Sequence, residues 1–365
     1  MVECLVSIIL PAFNEEGLIG AAIESALRQT EHRIELIVVD DCSTDRTVSV
    51  AETYAADDRR VQILRCRQNR GPAAARNLGL RHARGKWLAL LDADDTYDRR
   101  RIEALLVLAT AHEAEMVSDN LVIRRENVPP YLLIPSTVLP RPRMLTATEF
   151  VLGNIDGRRD RQVSYGFMQP MIRCDFLFRH GLLYDERNRF GEDYMLYVRC
   201  LQASARWWVT PEPLYHYSIR PGSLTSVQTA SDLKRIAQLE AELLADPAIT
   251  AQPRLAKALR RHKAKIDRLQ SYRAVTDAVK QRRFGSAMQA LLQSRRSPFY
   301  AALEAARQLP TILRKAFRGG YTARPGGALA GAEAAERVEA ELPSQLATVD
   351  GVIAPKRRAG SNRGP

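Results

Sequence analysis

The sequence predicts an α/β fold in which a sheet is flanked by helices and followed by a helical extension. Three observations support this prediction. Short apolar segments alternate with segments of helical periodicity in the N-terminal part of the chain, which is the pattern of βαβ units. Acidic clusters follow two of the apolar segments, at the position where open α/β sheets bind ligands. After residue 226 the pattern becomes helical, and basic residues accumulate from residue 251 onward.

Each element of the N-terminal part has its own signal. Mostly apolar runs indicate buried strands, and these occupy residues 7–10, 34–39, 61–64 and 86–91. Apolar residues at helical spacing indicate helices that begin near residues 17, 45, 72 and 98. Pro72 suits the first turn of its helix, where a missing N–H costs nothing. Because parallel βαβ units cross over with one hand, we expect the carboxyl ends of these strands at one edge of the sheet.

The loops at that edge carry the polar residues. Asp92, Asp94 and Asp95 crowd together directly after an apolar strand, and the spacing Asp-x-Asp suits a hard divalent cation that keeps waters and substrate phosphates. A solvated acidic turn that caps the next helix is the alternative interpretation. A second acidic cluster occupies residues 40–45. The first turn lacks the G-x-G-x-x-G phosphate loop, which excludes the usual dinucleotide-binding form of the fold.

The composition is that of a globular protein. The chain has 365 residues, 45% of them apolar, and five scattered cysteines without metal-ligand spacing, which predict reduced thiols in a cytosolic protein. We predict no signal peptide and no segment approaching the roughly 20 apolar residues that span a bilayer. The net charge is +12, and residues 251–318 contain 17 lysines and arginines against three acidic residues. Such a basic region fits an anionic membrane surface or nucleic acid.

Four motifs in the N-terminal part resemble the consecutive signatures of family-2 glycosyltransferases. They are Ser7–Glu15 (SIILPAFNE), Val38–Asp45 (VVDDCSTD), Asn69–Asn77 (NRGPAAARN) and Leu91–Asp95 (LDADD). The resemblance implies the GT-A fold, a Rossmann-like mixed sheet that binds a nucleotide-diphosphate sugar. It also implies inverting sugar transfer, most often from a UDP-sugar, with Mg²⁺ or Mn²⁺ as cofactor.

The resemblance assigns roles to residues of these motifs. For the base it implies Pro11 and Phe13 as walls of the pocket and Asp41 as acceptor of a hydrogen bond from uracil. It places Glu15 near the nucleoside and Asn69 and Arg76 in the uridine pocket. Asp92 would lie beside the ribose, and Asp94 would bind the metal. Asp40 is expected to stabilise its own loop. A surface salt bridge for Arg76 and a core position for Phe13 are the alternatives.

The second half of the chain contains the acceptor-side candidates. Glu192 and Asp193 precede apolar residues at helical spacing, so they open a helix whose dipole stabilises negative charge. This placement is expected to keep a carboxylate ionised at neutral pH, as a base must be. The pair resembles the acceptor-side motif of the family, which implies Asp193 as the catalytic base and Glu192 as a residue that orients the acceptor or the loop. A pair of capping acids is the alternative.

Strands are predicted at residues 206–209 and 213–217, and they lead into a segment that resembles a mobile lid of the family. The resemblance implies that Arg220 and Ser223 clamp the leaving diphosphate and that His216 is a further metal ligand. A hydrogen-bonded sheet histidine is the alternative for His216.

Three regions are predicted along the chain: a catalytic domain over residues 1–226, a basic helical region over 227–318 and a disordered tail over 319–365. Helices are expected at about 230–245 and 253–280, followed by two basic amphipathic segments. The basic helices lie either in a membrane interface or against the catalytic domain with their charges in water. Within the first region, the proline-rich residues 124–142 predict a long loop over the acceptor side.

Within the family, the chain most resembles bacterial exopolysaccharide glucosyltransferases of the succinoglycan type. This implies transfer of a hexose, glucose, to a polyprenyl-diphosphate-linked oligosaccharide at the inner face of the cytoplasmic membrane. Transfer from another nucleotide sugar to a different cell-envelope acceptor is one alternative, and a non-catalytic module that binds nucleotide sugars or glycans is another. Nucleic acid is not expected as a partner, because the basic segment has neither a recognition motif nor a stacking platform.

Overall fold

A central sheet forms the core of the structure, a computed structural model that describes residues 4–155, 165–220 and 229–293. Its strands are β1 (Val6–Ala12), β2 (Ile34–Asp40), β3 (Val61–Arg65), β4 (Trp87–Leu90), β5 (Thr96–Tyr97), β6 (Met116–Arg125), β7 (Val128–Leu132), β8 (Arg143–Leu145), β9 (Met171–Arg173) and β10 (Trp207–Ile219). Their order is β3-β2-β1-β4-β9-β6-β10-β5, with β7 beside β6 and β8 beside β10. β1 to β4 pair in parallel, whereas β9 is antiparallel to β4 and β6.

Helices cover this sheet, which confirms the predicted mixed sheet flanked by helices. They are α1 (Ile19–Leu27), α2 (Thr47–Asp57), α3 (Pro72–His82), α4 (Arg101–Ala111), α5 (Ala147–Gly153), α6 (Cys174–Arg179), α7 (Glu192–Gln202), α8 (Ala230–Ala245), α9 (Pro247–Thr250), α10 (Pro253–Lys280) and α11 (Phe284–Gln293). All seven residues of β2 are buried, as expected for a parallel strand that is covered on both faces.

Two backbone predictions are wrong in detail. The segments 206–209 and 213–217 belong to the single strand β10, whose pairing with β6 shifts register between Val209 and Tyr215. Residues 124–142 are not one long loop, because β6 continues to Arg125 and the chain turns back as β7. The prolines of β7 are tolerated because this strand pairs only with β6.

The helices after residue 229 share the hydrophobic core of the sheet. Leu239 and Leu243 of α8 and Leu255 and Leu259 of α10 are buried in the main apolar cluster. For α8 and α10 the structure therefore shows packing against the preceding part of the chain. The two alternatives for the basic amphipathic segments that follow stay predictions. The predicted boundaries near 226 and 318, the last basic segment and the tail lie outside the described residues. None of the helices in the described ranges is long and apolar enough to cross a membrane.

Candidate active site

Arg76 joins two acidic motifs that lie far apart in the chain. Its guanidinium donates hydrogen bonds to Asp92 Oδ1 (2.9 Å), Glu192 Oε1 (2.6 Å) and Asp193 Oδ1 (3.0 Å). Its side chain is only 4% exposed, which excludes the surface salt bridge. Burial opposes the charge, but Asp193, Asp92 and Glu192 raise the pKa of Arg76 well above its ordinary value. The guanidinium thus joins the Asp-x-Asp motif to the Glu-Asp pair, because it binds carboxylates of both.

Small residues allow Arg76 to reach this position. The first turns of α3 contain three consecutive alanines, and Gly79 lies so close to β1 that a Cβ atom there would be 2.7 Å from Ile9 Cγ2. A larger residue at position 79 would push α3 away from the sheet. The close contact buries the face of α3 that carries Arg76, beside the carboxyl ends of β1 and β4.

Glu192 and Asp193 occupy the first turn of α7, as predicted. Gly191 precedes them with φ 71°, a left-handed conformation that glycine adopts without strain. The Glu192 side chain is 8% exposed, whereas that of Asp193 is 18% exposed. Asp193 is therefore the member of the pair that a bound molecule can reach, and Glu192 is largely confined to its contact with Arg76.

Burial sets the charge of this pair in the free protein. It raises the pKa of Asp193 to about 8, with Glu192 and Asp92 acting in the same direction and Arg76 opposing the shift. Burial also raises the pKa of Glu192 against the effect of Arg76. The expectation that the start of the helix keeps Asp193 ionised at neutral pH is therefore not met, because the loss of hydration outweighs both the helix terminus and the arginine. A carboxyl group with a pKa near neutrality is well suited to proton transfer.

Two of the three aspartates after β4 differ sharply in their partners. Asp95 is buried and accepts hydrogen bonds from Tyr215 Oη and from the backbone N–H of Ser218, both at 2.7 Å. Asp92 accepts a hydrogen bond from Gln169 Nε2 (3.1 Å) in addition to that from Arg76. Both carboxylate oxygens of Asp95 thus bind residues of β10, whereas Asp92 belongs to the partly exposed site.

Asp94 and Glu15 share one cation. Arg220 donates a hydrogen bond from Nε to Asp94 Oδ2 (2.9 Å) and another from Nη2 to Glu15. Burial and the nearby charge of Asp92 nevertheless raise the pKa of Asp94, and burial raises the pKa of Glu15. Two carboxyl groups of the site thus share a single guanidinium.

This excess of carboxylates fits a divalent cation. Asp92 and Asp94 present oxygen ligands, and Mg²⁺ at phosphate sites is typically held by one or two carboxylates together with phosphates and waters. The raised pKa of Asp94 indicates an environment that an additional positive charge would stabilise. In the described part of the chain, no group of three or more His, Cys, Asp or Glu side chains is arranged to hold a metal. A cation held by Asp92 and Asp94 would take its other ligands from phosphates and waters.

His216 does not join this group. Successive side chains of a strand alternate, so His216 points away from the face on which Tyr215 reaches Asp95. Burial and Arg124 lower the pKa of His216, against the effect of Asp98. Its Nδ1 atom is buried and has no hydrogen-bond partner among the residues that the structure describes, so the hydrogen-bonded sheet histidine is not found, and the role of His216 as a metal ligand stays a prediction.

The residues predicted to bind the nucleotide surround the ends of β1 and β2. Asp41 accepts hydrogen bonds from the backbone N–H groups of Arg70 (2.9 Å) and Gly71 (2.7 Å), so it holds the loop that contains Asn69. Asn69 accepts a hydrogen bond from Arg189 Nη2 (3.1 Å). Asp41 therefore binds the backbone of the neighbouring loop, and its hydrogen bond with uracil stays a prediction.

Pro11 and Phe13 stand at the adjoining strand end. Pro11 is paired with Val39 in the last part of β1, and Phe13 follows the strand with 43% of its surface exposed. This exposure excludes a core position for Phe13 and leaves its ring available to a planar ligand. Asp40 accepts a hydrogen bond from the backbone N–H of Ser43 (3.1 Å), which fits its expected role in the loop.

Sequence reasoning missed Gln169 and Tyr215 as members of the site. Gln169 bonds to Asp92, 77 positions away, and Tyr215 bonds to Asp95, 120 positions away. No local sequence pattern predicts contacts at such separations. The predicted clamp residue Ser223 lies outside the described residues, whereas Arg220, just before that gap, is placed at Asp94.

Comparison with known sequences relates this site to a family. Residues 7–181 match the family model described as glycosyl transferase family 2. The chain is 35% identical over 286 residues to the succinoglycan biosynthesis protein ExoU of Rhizobium meliloti (strain 1021), covering 77% of this chain and 81% of that protein. It is also 35% identical over 243 residues to the succinoglycan biosynthesis protein ExoO of the same organism, covering 67% of each chain.

Solved structures share the fold at low sequence identity. S. aureus TarS 1–349 in complex with UDP-GlcNAc has a TM-score of 0.60 and 18% identity, covering 87% of this chain and 93% of that one. The mannosyltransferase PcManGT from Pyrobaculum calidifontis, in complex with GDP-Man and Mn²⁺, has a TM-score of 0.52 and 18% identity, covering 86% and 82%. The architecture is that of the GT-A fold. The match to the family model, together with the identity to ExoU and ExoO, establishes that the chain is a glycosyltransferase and belongs to glycosyltransferase family 2.

Proposed function

We propose that the protein transfers a hexose, glucose, from a UDP-sugar to a hydroxyl group of a growing exopolysaccharide, with inversion at the anomeric carbon. The observation that carries the proposal is the Arg76 network, which holds the Asp-x-Asp motif and Asp193 in one site. The names of ExoO and ExoU support an exopolysaccharide as the product, and the complex of TarS with UDP-GlcNAc supports a UDP-sugar as the donor.

The reaction is a direct displacement. Asp193 takes the proton of the acceptor hydroxyl while the acceptor oxygen forms a bond to the anomeric carbon. The bond between that carbon and the diphosphate oxygen breaks, and UDP leaves with the electron pair. One displacement inverts the configuration and needs no covalent intermediate on the protein. Glu192 and Arg76 hold the base in place.

The donor occupies the opposite side of the site. Asp94 and Asp92 are the residues that would hold Mg²⁺ or Mn²⁺, and the Mn²⁺ in the PcManGT complex supports this choice of cofactor. Bound there, the cation would stabilise the negative charge that develops on the leaving diphosphate. Arg220 and Ser223 clamp the same phosphates, and the loops that carry Phe13, Asp41 and Asn69 hold the uridine.

The acceptor is proposed to be an oligosaccharide linked to polyprenyl diphosphate at the inner face of the cytoplasmic membrane. An exposed aromatic group near Gln169 suits a sugar ring: Phe167 is 36% exposed and packs edge-on against Tyr217, with ring centroids 5.6 Å apart. The basic C-terminal region suits the anionic lipid surface that such an acceptor requires.

Nucleotide release from a panel of UDP-sugars and GDP-sugars tests this proposal. We expect slow hydrolysis of one UDP-hexose with Mg²⁺ or Mn²⁺, because water replaces the acceptor, and loss of this activity in EDTA. Asp94→Asn is expected to lower the rate by about 10²–10³-fold, the usual effect of removing one stabilising group from a developing charge. Asp175→Asn, in an exposed pair with Arg173, is the matched control and should leave the rate unchanged.

Each outcome of this experiment is informative. Turnover of a GDP-sugar would change the donor but keep the reaction. Hydrolysis that persists in EDTA and in Asp94→Asn would contradict the metal site. Binding of a UDP-sugar without hydrolysis, and without transfer to any glycan acceptor, would favour a binding module.

The pH dependence of the rate provides a separate prediction. A base must be deprotonated, so kcat/KM should fall as the pH drops through the pKa of Asp193, which burial raises to about 8 in the free protein. Glu192→Gln removes a negative charge that raises this pKa, so the acid limb should move to lower pH. The measurement is kcat/KM with saturating metal at intervals from about pH 4 to about pH 10. A kcat/KM that stays constant from about pH 8 down to about pH 5 would contradict the prediction, because it would place the pKa of the base near the ordinary aspartate value of about 3.9.

A further inference from the structure

A buried polar cluster ties the C-terminal helices to the helix that carries Asp193. Glu240 of α8 is fully buried, and its Oε1 accepts a hydrogen bond from Tyr194 Oη of α7 (3.0 Å) and lies 2.6 Å from Nδ1 of His262 in α10. The rings of Tyr194 and His262 stack with their centroids 4.6 Å apart. The proposed reaction gives these three residues no chemical step.

The cluster lies directly behind the catalytic turn. Tyr194 follows Asp193 in α7, and successive residues of an α-helix point about 100° apart. Asp193 therefore contacts Arg76 on one side of the helix, while Tyr194 contacts Glu240 on another.

Apolar packing also joins the start of α7 to the C-terminal helices. Phe190, at the entrance to α7, packs against Ile236 of α8 and Ile266 of α10. Ile236 also approaches Gly191, where a Cβ atom would lie 3.2 Å from Ile236 Cδ1. The first turn of α7 thus rests on α8 and α10, which come from the region after residue 229.

A buried carboxylate is a costly way to join three helices. Removing the Glu240 carboxylate from water costs free energy, whereas apolar side chains of similar volume could pack there without this cost. Its Oε2 atom has no hydrogen-bond partner among the residues that the structure describes, so this cost is only partly offset. A hydrogen bond is directional, however, and it fixes the rotation of α7 about its own axis more closely than apolar contacts do.

Small rotations of α7 matter for proton transfer. A side-chain tip lies about 5–6 Å from the helix axis, so a rotation of about 10° moves it by about 1 Å. A displacement of about 1 Å can lower a catalytic rate by about 10²-fold.

We propose that Tyr194, Glu240 and His262 form a positioning cluster that fixes the Asp193 carboxylate for proton transfer. The proposal rests on the proposed function, because it takes Asp193 as the base. It makes α8 and α10 part of the catalytic unit, which then extends beyond the boundary predicted at residue 226.

Two shape-conserving variants of the full chain test the positioning cluster. Tyr194→Phe and Glu240→Met are each expected to lower kcat by about 10- to 100-fold, while donor KM and the Kd of UDP change by less than about twofold. Tyr194→Phe removes a single hydroxyl group and is the variant to interpret if Glu240→Met does not fold. The double variant should have a kcat no lower than that of the less active single variant, because both substitutions remove the same contact.

The decisive comparison uses Asp193→Asn as background. Positioning acts through the base, so adding Tyr194→Phe to Asp193→Asn should cause no further loss of rate. If Tyr194→Phe lowers the rate by the same factor in both backgrounds, the cluster acts independently of the base and the proposal is overturned. If Asp193→Asn alone leaves the rate unchanged, the proposed function fails instead.

Gln202→Met serves as the matched control. Gln202 Nε2 donates a hydrogen bond to Asp246 Oδ2 (2.6 Å) and ties the other end of α7 to the end of α8. Positions 194 and 202 are separated by about 12 Å along the helix, so this variant should change kcat by less than about twofold. Equal losses in Gln202→Met and Tyr194→Phe would reduce the cluster to general support of the fold and overturn the proposal.

Discussion

Asp193→Asn is expected to lower kcat for sugar transfer by about 10²–10⁴-fold, the usual contribution of a general base. Asparagine has nearly the same shape but cannot accept the proton of the acceptor hydroxyl. Arg76 keeps its hydrogen bonds to Asp92 and Glu192, so donor binding should be unchanged. The measurements are transfer kinetics with the donor identified by nucleotide release, and the Kd of UDP by calorimetry.

Asp232 provides the matched control for this variant. It is also a carboxylate in the first turn of a helix, where it caps α8 together with Thr229, outside the Arg76 network. Asp232→Asn should leave kcat unchanged and affect only stability, through the helix cap. If Asp193→Asn behaves in the same way, Asp193 is merely an acid at the start of a helix and the assignment of the base is wrong.

Local signals made much of the fold predictable from the sequence. The mostly apolar run at residues 34–39 became β2, buried along its whole length. Helix α8 occupies the predicted residues 230–245, with a capping box at Thr229, and α10 occupies the predicted residues 253–280, with Pro253 in its first turn. Each of these signals lies within a few residues of the element that it predicts.

The features that the sequence did not reveal depend on distant contacts. Arg76 was expected at the uridine because its motif resembles the nucleotide-binding signature, yet two of its three carboxylate partners are 116 and 117 residues away. Their meeting depends on how closely α3 packs on the sheet and on where α7 begins. The orientation of His216 likewise depends on the register of β10, which shifts between Val209 and Tyr215. No periodicity in the sequence determines either outcome.

Arg76→Met is expected to lower the free energy of unfolding by about 3–5 kcal/mol, the usual cost of removing one partner from a buried ion pair. Methionine fills similar space but leaves Asp92, Glu192 and Asp193 facing one another without their shared cation. Burial already raises the pKa values of Glu192 and Asp193, and the loss of Arg76 raises them further. Groups with a raised pKa in the folded protein stabilise it at low pH and lose this effect as the pH rises. The loss of stability should therefore be larger near pH 8 than near pH 5, as measured by urea unfolding.

Arg173→Met separates this effect from the loss of any arginine. Arg173 pairs with Asp175 on the protein surface, where an ion pair contributes at most about 1 kcal/mol. Its replacement should cause a small loss of stability that is similar at both pH values. An equally small, pH-independent loss in Arg76→Met would mean that the three carboxylates do not depend on their common cation. The charge of Arg76 could then no longer explain how two acidic motifs more than one hundred residues apart form a single site.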